Sequence, residues 1–249
     1  MFRLLIPAFF LLISCKPYPR IKNISGETIA LSHSENPGSD TLYNYLIKPY
    51  RDSLDLQMKE VLGISDQAMT KGNPESVLGN FVADLVLYQT GKYLEKKGKP
   101  PVDMVLLNNG GLRAPLPAGE ITREMVFKLM PFENELVVLT MTGEKTREML
   151  EYIAAIDGMP VAGLKMGIKN KKPSGVMING EPLNTGKNYR IVTSDYLAAG
   201  GDKMKFFNNP VATDTVHMLL RDAIIYYIQE KNREGKTLTA KTDGRIYHE

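Results

Sequence analysis

The sequence has little of what an enzyme active site commonly uses. Its 249 residues include no tryptophan, one cysteine and three histidines, His33, His217 and His248. A single cysteine excludes a disulfide within the chain, and it leaves no Cys–His pair for nucleophilic catalysis. The histidines are far apart in the sequence, and none belongs to a His and Asp cluster with metal-ligand spacing. We therefore predict no catalytic residue, no metal ligand and no cofactor in this chain.

An excess of one charge is also lacking. The 31 Lys and Arg residues are nearly balanced by 28 Asp and Glu residues, and the formal net charge of +3 is spread along the chain. Nucleic-acid binding typically requires a concentrated basic patch, so we expect no nucleic-acid partner. With 43% hydrophobic residues, the chain can bury one sizeable core. One domain with an N-terminal appendage is the expected organisation.

The N-terminus has the pattern of an export signal. Arg3 precedes an apolar run from Leu4 to Ile13, which is too short to span a bilayer. The run leads to Leu12-Ile13-Ser14-Cys15, which resembles the bacterial lipobox, whose cysteine becomes the lipidated first residue of the mature protein. We expect residues 1–15 to be a lipoprotein signal peptide and residues 16–25 a tether. The protein would be exported and membrane-anchored only through Cys15, unless this is an incidental cysteine in an apolar segment.

Hydrophobic patterns along the body predict helices and strands that do not alternate strictly. This favours an α+β domain over residues 26–249, with a mixed β-sheet flanked by helices, over a doubly wound fold. A helix with one buried stripe is expected over residues 40–60. The other main predictions are strands at 102–107, 135–141 and 189–193, and helices from Ser76 to Leu94, from Thr122 (as N-cap), from Glu144 to Ala155 and from Thr213 to Gln229.

A glycine-rich segment, Asn108-Asn109-Gly110-Gly111-Leu112-Arg113, follows the apolar run Met104–Leu107. Gly110 and Gly111 let the backbone approach a ligand closely or take a positive φ angle. Arg113 carries a planar, permanently charged fork that suits a phosphate or a carboxylate. The segment has the layout of a ligand-binding loop, and an ordinary turn with a solvated arginine is the alternative.

Two further loops carry aromatic and acidic side chains. Phe132 lies in Met130-Pro131-Phe132-Glu133-Asn134, and Tyr196 and Asp202 lie in the segment 195–202, which contains a second pair of glycines. An arginine, two aromatic rings and a carboxylate match a phosphate, a flat base and a ribose. Taken singly, Phe132 also fits a core position, and Asp202 fits a turn.

Together and in this order, the three loops resemble the C-terminal domain of the 5′-nucleotidase and UDP-sugar hydrolase family. The resemblance extends from about residue 25 to residue 247. It also includes Leu78-Gly79-Asn80 at a helix start, the strand and helix from Val137 to Leu150, and Tyr189-Arg190 before the second glycine pair. It implies the fold of that domain and a nucleotide or nucleoside ligand.

The resemblance also implies roles for single residues. Asn108 and Arg113 would contact the base or ribose and the phosphate, in one binding loop with Gly110 and Gly111. Phe132 and Tyr196 would stack on the two faces of the base, and Asp202 would bind the ribose hydroxyls. Tyr196 stands where relatives commonly have phenylalanine.

Two other departures from the family pattern concern basic residues. Lys71 is a possible substitute for an arginine that often precedes the Gly79-Asn80 helix. Lys203 follows Asp202 where relatives usually carry glycine.

In this family an N-terminal metallophosphatase domain with two metal ions performs the chemistry, and its His and Asp patterns are missing here. The resemblance therefore implies the recognition half of a nucleotidase, which needs a separately encoded, exported phosphatase carrying the divalent metal pair. A non-enzymatic nucleotide- or nucleoside-binding envelope lipoprotein is the first alternative. A structural protein with a degenerate pocket is the second.

Overall fold

The computed structural model describes residues 21–28 and 40–249. The helices are α1 (Thr41–Met58), α2 (Val77–Lys96), α3 (Arg123–Leu129), α4 (Gly143–Ala155), α5 (Asp195–Ala198) and α6 (Leu220–Arg233). The strands are β1 (Val61–Ser65), β2 (Met104–Leu106), β3 (Gly119–Thr122), β4 (Glu135–Thr142), β5 (Val161–Ala162), β6 (Leu164–Lys169), β7 (Lys172–Ile178), β8 (Glu181–Pro182), β9 (Asn188–Ser194), β10 (Ala212–Leu219) and β11 (Ile246–His248). The predicted α+β class, with a mixed sheet flanked by helices, is confirmed.

The largest sheet has five strands in the order β10-β4-β9-β2-β5. Its central pair β2 and β9 is parallel, with Val105 opposite Val192, and the other neighbouring pairs are antiparallel. Two smaller sheets consist of β1 with β3, and of β11-β6-β7-β8. The large sheet therefore brings together strands that lie more than 80 residues apart in the sequence.

Both faces of the large sheet are buried, because successive side chains of a strand point to opposite sides. Val105, Val138 and Val192 join a core with residues of α2, α3 and α6. Leu106 and Leu139 join a second core, to which α4 contributes. Burial on both faces explains why the sequence shows unbroken apolar runs here rather than alternation.

Side-chain caps fix where several helices begin. Ser76 accepts a hydrogen bond from the Gly79 amide at the start of α2, over 3.0 Å. Thr122 accepts one from the Met125 amide, so the predicted N-cap of α3 is confirmed. Ser194, the last residue of β9, caps α5 in the same way. Such caps typically stabilise a helix by about 1 kcal/mol.

The predicted helix from Thr213 to Gln229 is wrong in its first half. Residues 212–219 form β10, an antiparallel edge strand on β4, and α6 begins only at Leu220. Thr213, Thr215 and Val216 are β-branched and favour a strand. The strand also covers an edge of β4 that would otherwise be unpaired. Pairing with β4 therefore decides the structure of residues 212–219, although the spacing of their apolar residues fits a helix.

The helix predicted over residues 40–60 is confirmed as α1, but the expected buried stripe is wrong, because none of its residues is buried.

Residues 21–28 are exposed and outside helices and strands. The proposed signal peptide, Cys15 and the first residues of the tether lie outside the described residues. None of the helices in the described part of the chain is both long and apolar enough to cross a bilayer.

Candidate functional site

Three loops meet at one edge of the large sheet because of its topology. β2 and β9 are parallel neighbours, so the loops that follow them, 108–113 and 195–202, leave the sheet at the same edge. β4 runs antiparallel to β9, with Leu136 opposite Ser194, so the loop that precedes β4 reaches this edge too. Residues far apart in the sequence are thus placed side by side by strand order and direction.

A cavity of about 340 Å³ lies between these loops. All seven residues that the sequence predicted as substrate-binding line it, together with Asn134 (Asn108, Gly110, Gly111, Arg113, Phe132, Tyr196 and Asp202). Sequence reasoning missed Asn134, although its amide side chain lies in the same loop as Phe132. A larger cavity of about 660 Å³ surrounds Arg245, whose charge is already paired with Asp84 and Asp243. The three-loop cavity is therefore the candidate site.

Asp202 is the centre of a hydrogen-bond network in this cavity. The Asn108 amide donates to one carboxylate oxygen over 2.5 Å, and the Tyr196 hydroxyl donates to the other over 2.9 Å. The Tyr152 hydroxyl donates to the Asp202 carbonyl oxygen over 2.6 Å. Burial, together with the negative charge of Asp202, raises the pKa of Tyr152. The exposed carboxylate keeps acceptor capacity for a ligand, since each oxygen can accept more than one hydrogen bond.

Asp202 and the next residue both take left-handed backbone conformations, with φ of 50° for Asp202 and 64° for Lys203. Asp adopts this conformation more readily than most residues, whereas lysine is strained there. Glycine would adopt the backbone conformation of Lys203 without this strain.

The two aromatic side chains of the site are partly exposed, and Tyr196 packs against a glycine. Phe132 and Tyr196 are 42% and 47% exposed, so part of each ring is open to contact. Tyr196 lies against Gly201, where a β-carbon would be 2.5 Å from the tyrosine Cε1 and 2.6 Å from its carbonyl oxygen. The position of the tyrosine ring thus requires glycine at position 201.

The loop 108–113 carries the cation of Arg113, whose guanidinium offers hydrogen-bond donors to a ligand. The Arg113 backbone amide bonds the Leu129 carbonyl over 2.7 Å, whereas its guanidinium makes one long contact of 3.4 Å with the Gly110 carbonyl. Among residues 21–28 and 40–249, no other partner of this guanidinium is seen, which leaves four of its five N–H donors for an anion. The Lys71 ammonium lies 3.3 Å from the Asn109 carbonyl, which places this second cation beside the same loop.

The two histidines in the described part of the chain, His217 and His248, do not line the site. His217 lies on β10 rather than on a helix, 3.5 Å from a Glu135 oxygen, and His248 lies 3.2 Å from Asp157. His33 is outside the described residues. Within residues 21–28 and 40–249, no group of three or more His, Cys, Asp or Glu side chains could hold a metal ion.

Comparison with protein-family models matches residues 57–209 to the 5′-nucleotidase, C-terminal domain. A cell wall protein of Listeria monocytogenes, Lmo0130, is 27% identical over 91% of this chain and 27% of its own length. A 5′-nucleotidase of Vibrio vulnificus is 37% identical over 40% of this chain and 19% of its own. The chain thus spans about a quarter or less of these two relatives.

A solved structure shows the same fold. The 5′-nucleotidase precursor of Thermus thermophilus matches 84% of this chain and 43% of its own, with a TM-score of 0.69 and 24% identity.

Proposed function

Since the chain belongs to the 5′-nucleotidase C-terminal domain family, we propose that it recognises a nucleotide and that a two-metal phosphatase outside these 249 residues hydrolyses it. One observation carries this proposal. Three loops from distant parts of the sequence place a cation, two half-exposed aromatic rings and a carboxylate around one cavity.

Each of these groups suits one part of a nucleotide. Phe132 and Tyr196 would stack on the base, which is worth about 1–3 kcal/mol per base in comparable sites. Asp202 would accept hydrogen bonds from the ribose hydroxyls, with its carboxylate oriented by Asn108 and Tyr196. Arg113 would bind the phosphate with its spare donors.

Hydrolysis needs groups that the described residues do not bring together. A two-metal phosphatase activates water and stabilises the charge of the phosphate with two cations held by several His and carboxylate ligands. We therefore assign the divalent metal pair to a partner and expect this partner to be a separate, exported phosphatase. The present chain would supply the nucleotide in a fixed orientation.

Calorimetric titration of AMP, UMP and adenosine into the protein tests the recognition step. We expect binding in the wild type and a loss of at least about fivefold in Phe132→Ala and in Tyr196→Ala, the lower limit of one stacking contact. Tyr226→Ala is a matched control, because Tyr226 is 50% exposed and does not line the cavity. Unchanged affinity in both site variants would refute the stacking arrangement.

Mixing the protein with an exported two-metal phosphatase, AMP and Mn²⁺ or Zn²⁺ tests the catalytic step. Phosphate release should exceed that of the phosphatase alone, and at AMP concentrations below saturation this gain should be smaller with Phe132→Ala. Binding without any gain would favour the alternative, a non-enzymatic nucleotide- or nucleoside-binding lipoprotein. Flat titrations with all three ligands would favour a structural role with a degenerate pocket.

We also propose that the protein is exported and anchored by a lipid on Cys15, with residues 1–15 as signal peptide and 16–25 as tether. The lipobox-like sequence supports this, and a relative of 27% identity is a cell wall protein. Metabolic labelling with a palmitate analogue should mark the wild type and not Cys15→Ala. Equal labelling of both would contradict the proposal.

A further inference from the structure

Arg221 is a nearly buried charge at the edge of the sheet where the cavity lies. It is the second residue of α6, and this helix follows β10 directly. The last residue of β10, Leu219, pairs with Glu135 at the start of β4. Its side chain is only 8% exposed. It does not line the cavity, so any effect on a ligand must pass through its neighbours.

These neighbours are the backbone of the loop that carries Phe132. One terminal guanidinium nitrogen of Arg221 lies 3.5, 3.3 and 3.5 Å from the carbonyl oxygens of Met130, Pro131 and Phe132. The adjacent Leu220 amide donates to the Asn134 carbonyl over 2.9 Å. The first two residues of α6 thus hold the loop near both of its ends.

The surroundings of Arg221 favour this backbone contact over a simple ion pair. Burying a charge is costly unless partners compensate for the lost water. Its nearest carboxylate, Glu133, lies 3.6 Å away and is 82% exposed, so solvent weakens that pair. The three carbonyl dipoles remain, together with the Phe127 ring, whose centre lies 4.3 Å from the guanidinium carbon.

We propose that Arg221 is a positioning residue for nucleotide recognition, which fixes the loop 130–134 and so holds the Phe132 ring in place for the base. The inference rests on the proposed function, because it assigns a role within the same site. It predicts that Arg221 affects the base-binding part of the cavity and leaves the ribose and phosphate contacts of Asp202 and Arg113 intact.

The test compares ligands with and without a base on the full chain. Arg221→Gln should weaken AMP and adenosine about tenfold, a large part of one stacking contact, and change ribose 5-phosphate by less than about twofold. Arg221→Lys should restore part of the loss, since an ammonium can still donate to the carbonyls. Arg190→Gln is the matched control: Arg190 is 17% exposed, bonds Asp214 and the Pro101 carbonyl, and lies outside the cavity lining.

An equal loss for all three ligands, or no loss for any, would overturn the inference.

Amide hydrogen exchange without ligand gives a second readout. Exchange should accelerate in Arg221→Gln at the Met130 amide and at the Leu220 amide, which donates to the Asn134 carbonyl, while the amides of α2 keep their wild-type rates. Unchanged exchange at both amides would also overturn the inference. Failure of the wild type to bind AMP would instead contradict the proposed function, and the exchange result would then decide on Arg221 alone.

Discussion

Asp202→Asn tests the role of the carboxylate with the least disturbance of the fold. Asparagine has nearly the same volume as aspartate and tolerates the left-handed conformation of this position, where φ is 50°. Its carbonyl can still accept from Asn108, and its amide can donate to the Tyr196 hydroxyl. The substitution therefore removes a charge and exchanges one acceptor for a donor, and it leaves the loop in place.

The magnitude follows from the kind of hydrogen bond that is lost. A bond to a charged group is worth about 1.5–3 kcal/mol and a neutral one about 0.5–1.5 kcal/mol. Asp202 is exposed, so both kinds of bond to a ligand are near the lower limits of these ranges. The charged bond then exceeds the neutral one by about 1 kcal/mol, or about fivefold in Kd. Asp202→Ala should cost about 1 kcal/mol more in stability, because alanine is strained at this φ angle.

The assay is calorimetric titration of AMP and of 2′,3′-dideoxy-AMP into the wild type and Asp202→Asn. The wild type should prefer AMP, and the variant should lower this preference about fivefold while binding the dideoxy nucleotide as the wild type does. An equal loss for both ligands would refute a ribose contact. A wild type without preference for AMP would refute it as well.

Three further predictions concern the support of the site and the fold. Gly201→Ala should destabilise the protein by about 1–3 kcal/mol in urea unfolding and weaken AMP binding, since its β-carbon would overlap Tyr196; wild-type values would contradict this. Gly91→Ala, inside α2 with open space around it, should stabilise by about 0.5–1 kcal/mol, and a loss of stability would be inconsistent with that space. The hydrogen bond from Lys99 holds the pKa of Asp214 below its ordinary value. The stability that this hydrogen bond contributes is fully present above the pKa of an unfolded Asp, near 4, and is lost as the pH falls. Asp214→Asn should therefore flatten the decline in unfolding free energy below about pH 5, and an unchanged decline would exclude this contribution.

The sequence predicted which residues line the cavity better than it predicted how they meet. The three loops were recognisable because glycines, aromatics and charged groups directly follow or precede apolar runs. Strand order is a different matter: Asn108 and Asp202 are 94 residues apart, and only the parallel pairing of β2 with β9 brings them within 2.5 Å. Tertiary pairing of this kind leaves no signal in local periodicity.

The wrong prediction of a helix starting at Thr213 also hid the position of Arg221. The apolar spacing from Val216 to Ile228 fits a helix, and a helix starting at Thr213 would place Arg221 in its middle, away from the loops. The pairing of β10 with β4 ends at Leu219 and delivers Arg221 to the edge where Phe132 lies. That contact depends on the β-sheet edge, so it could not be inferred from the helical pattern.

The central claim, that one nucleotide base lies between Phe132 and Tyr196, is tested most directly by nuclear Overhauser effects in the complex with AMP. With the full chain saturated with AMP, we predict contacts from the adenine H2 and H8 protons to ring protons of both residues. Bound AMP whose adenine protons show contacts to neither ring would contradict the account.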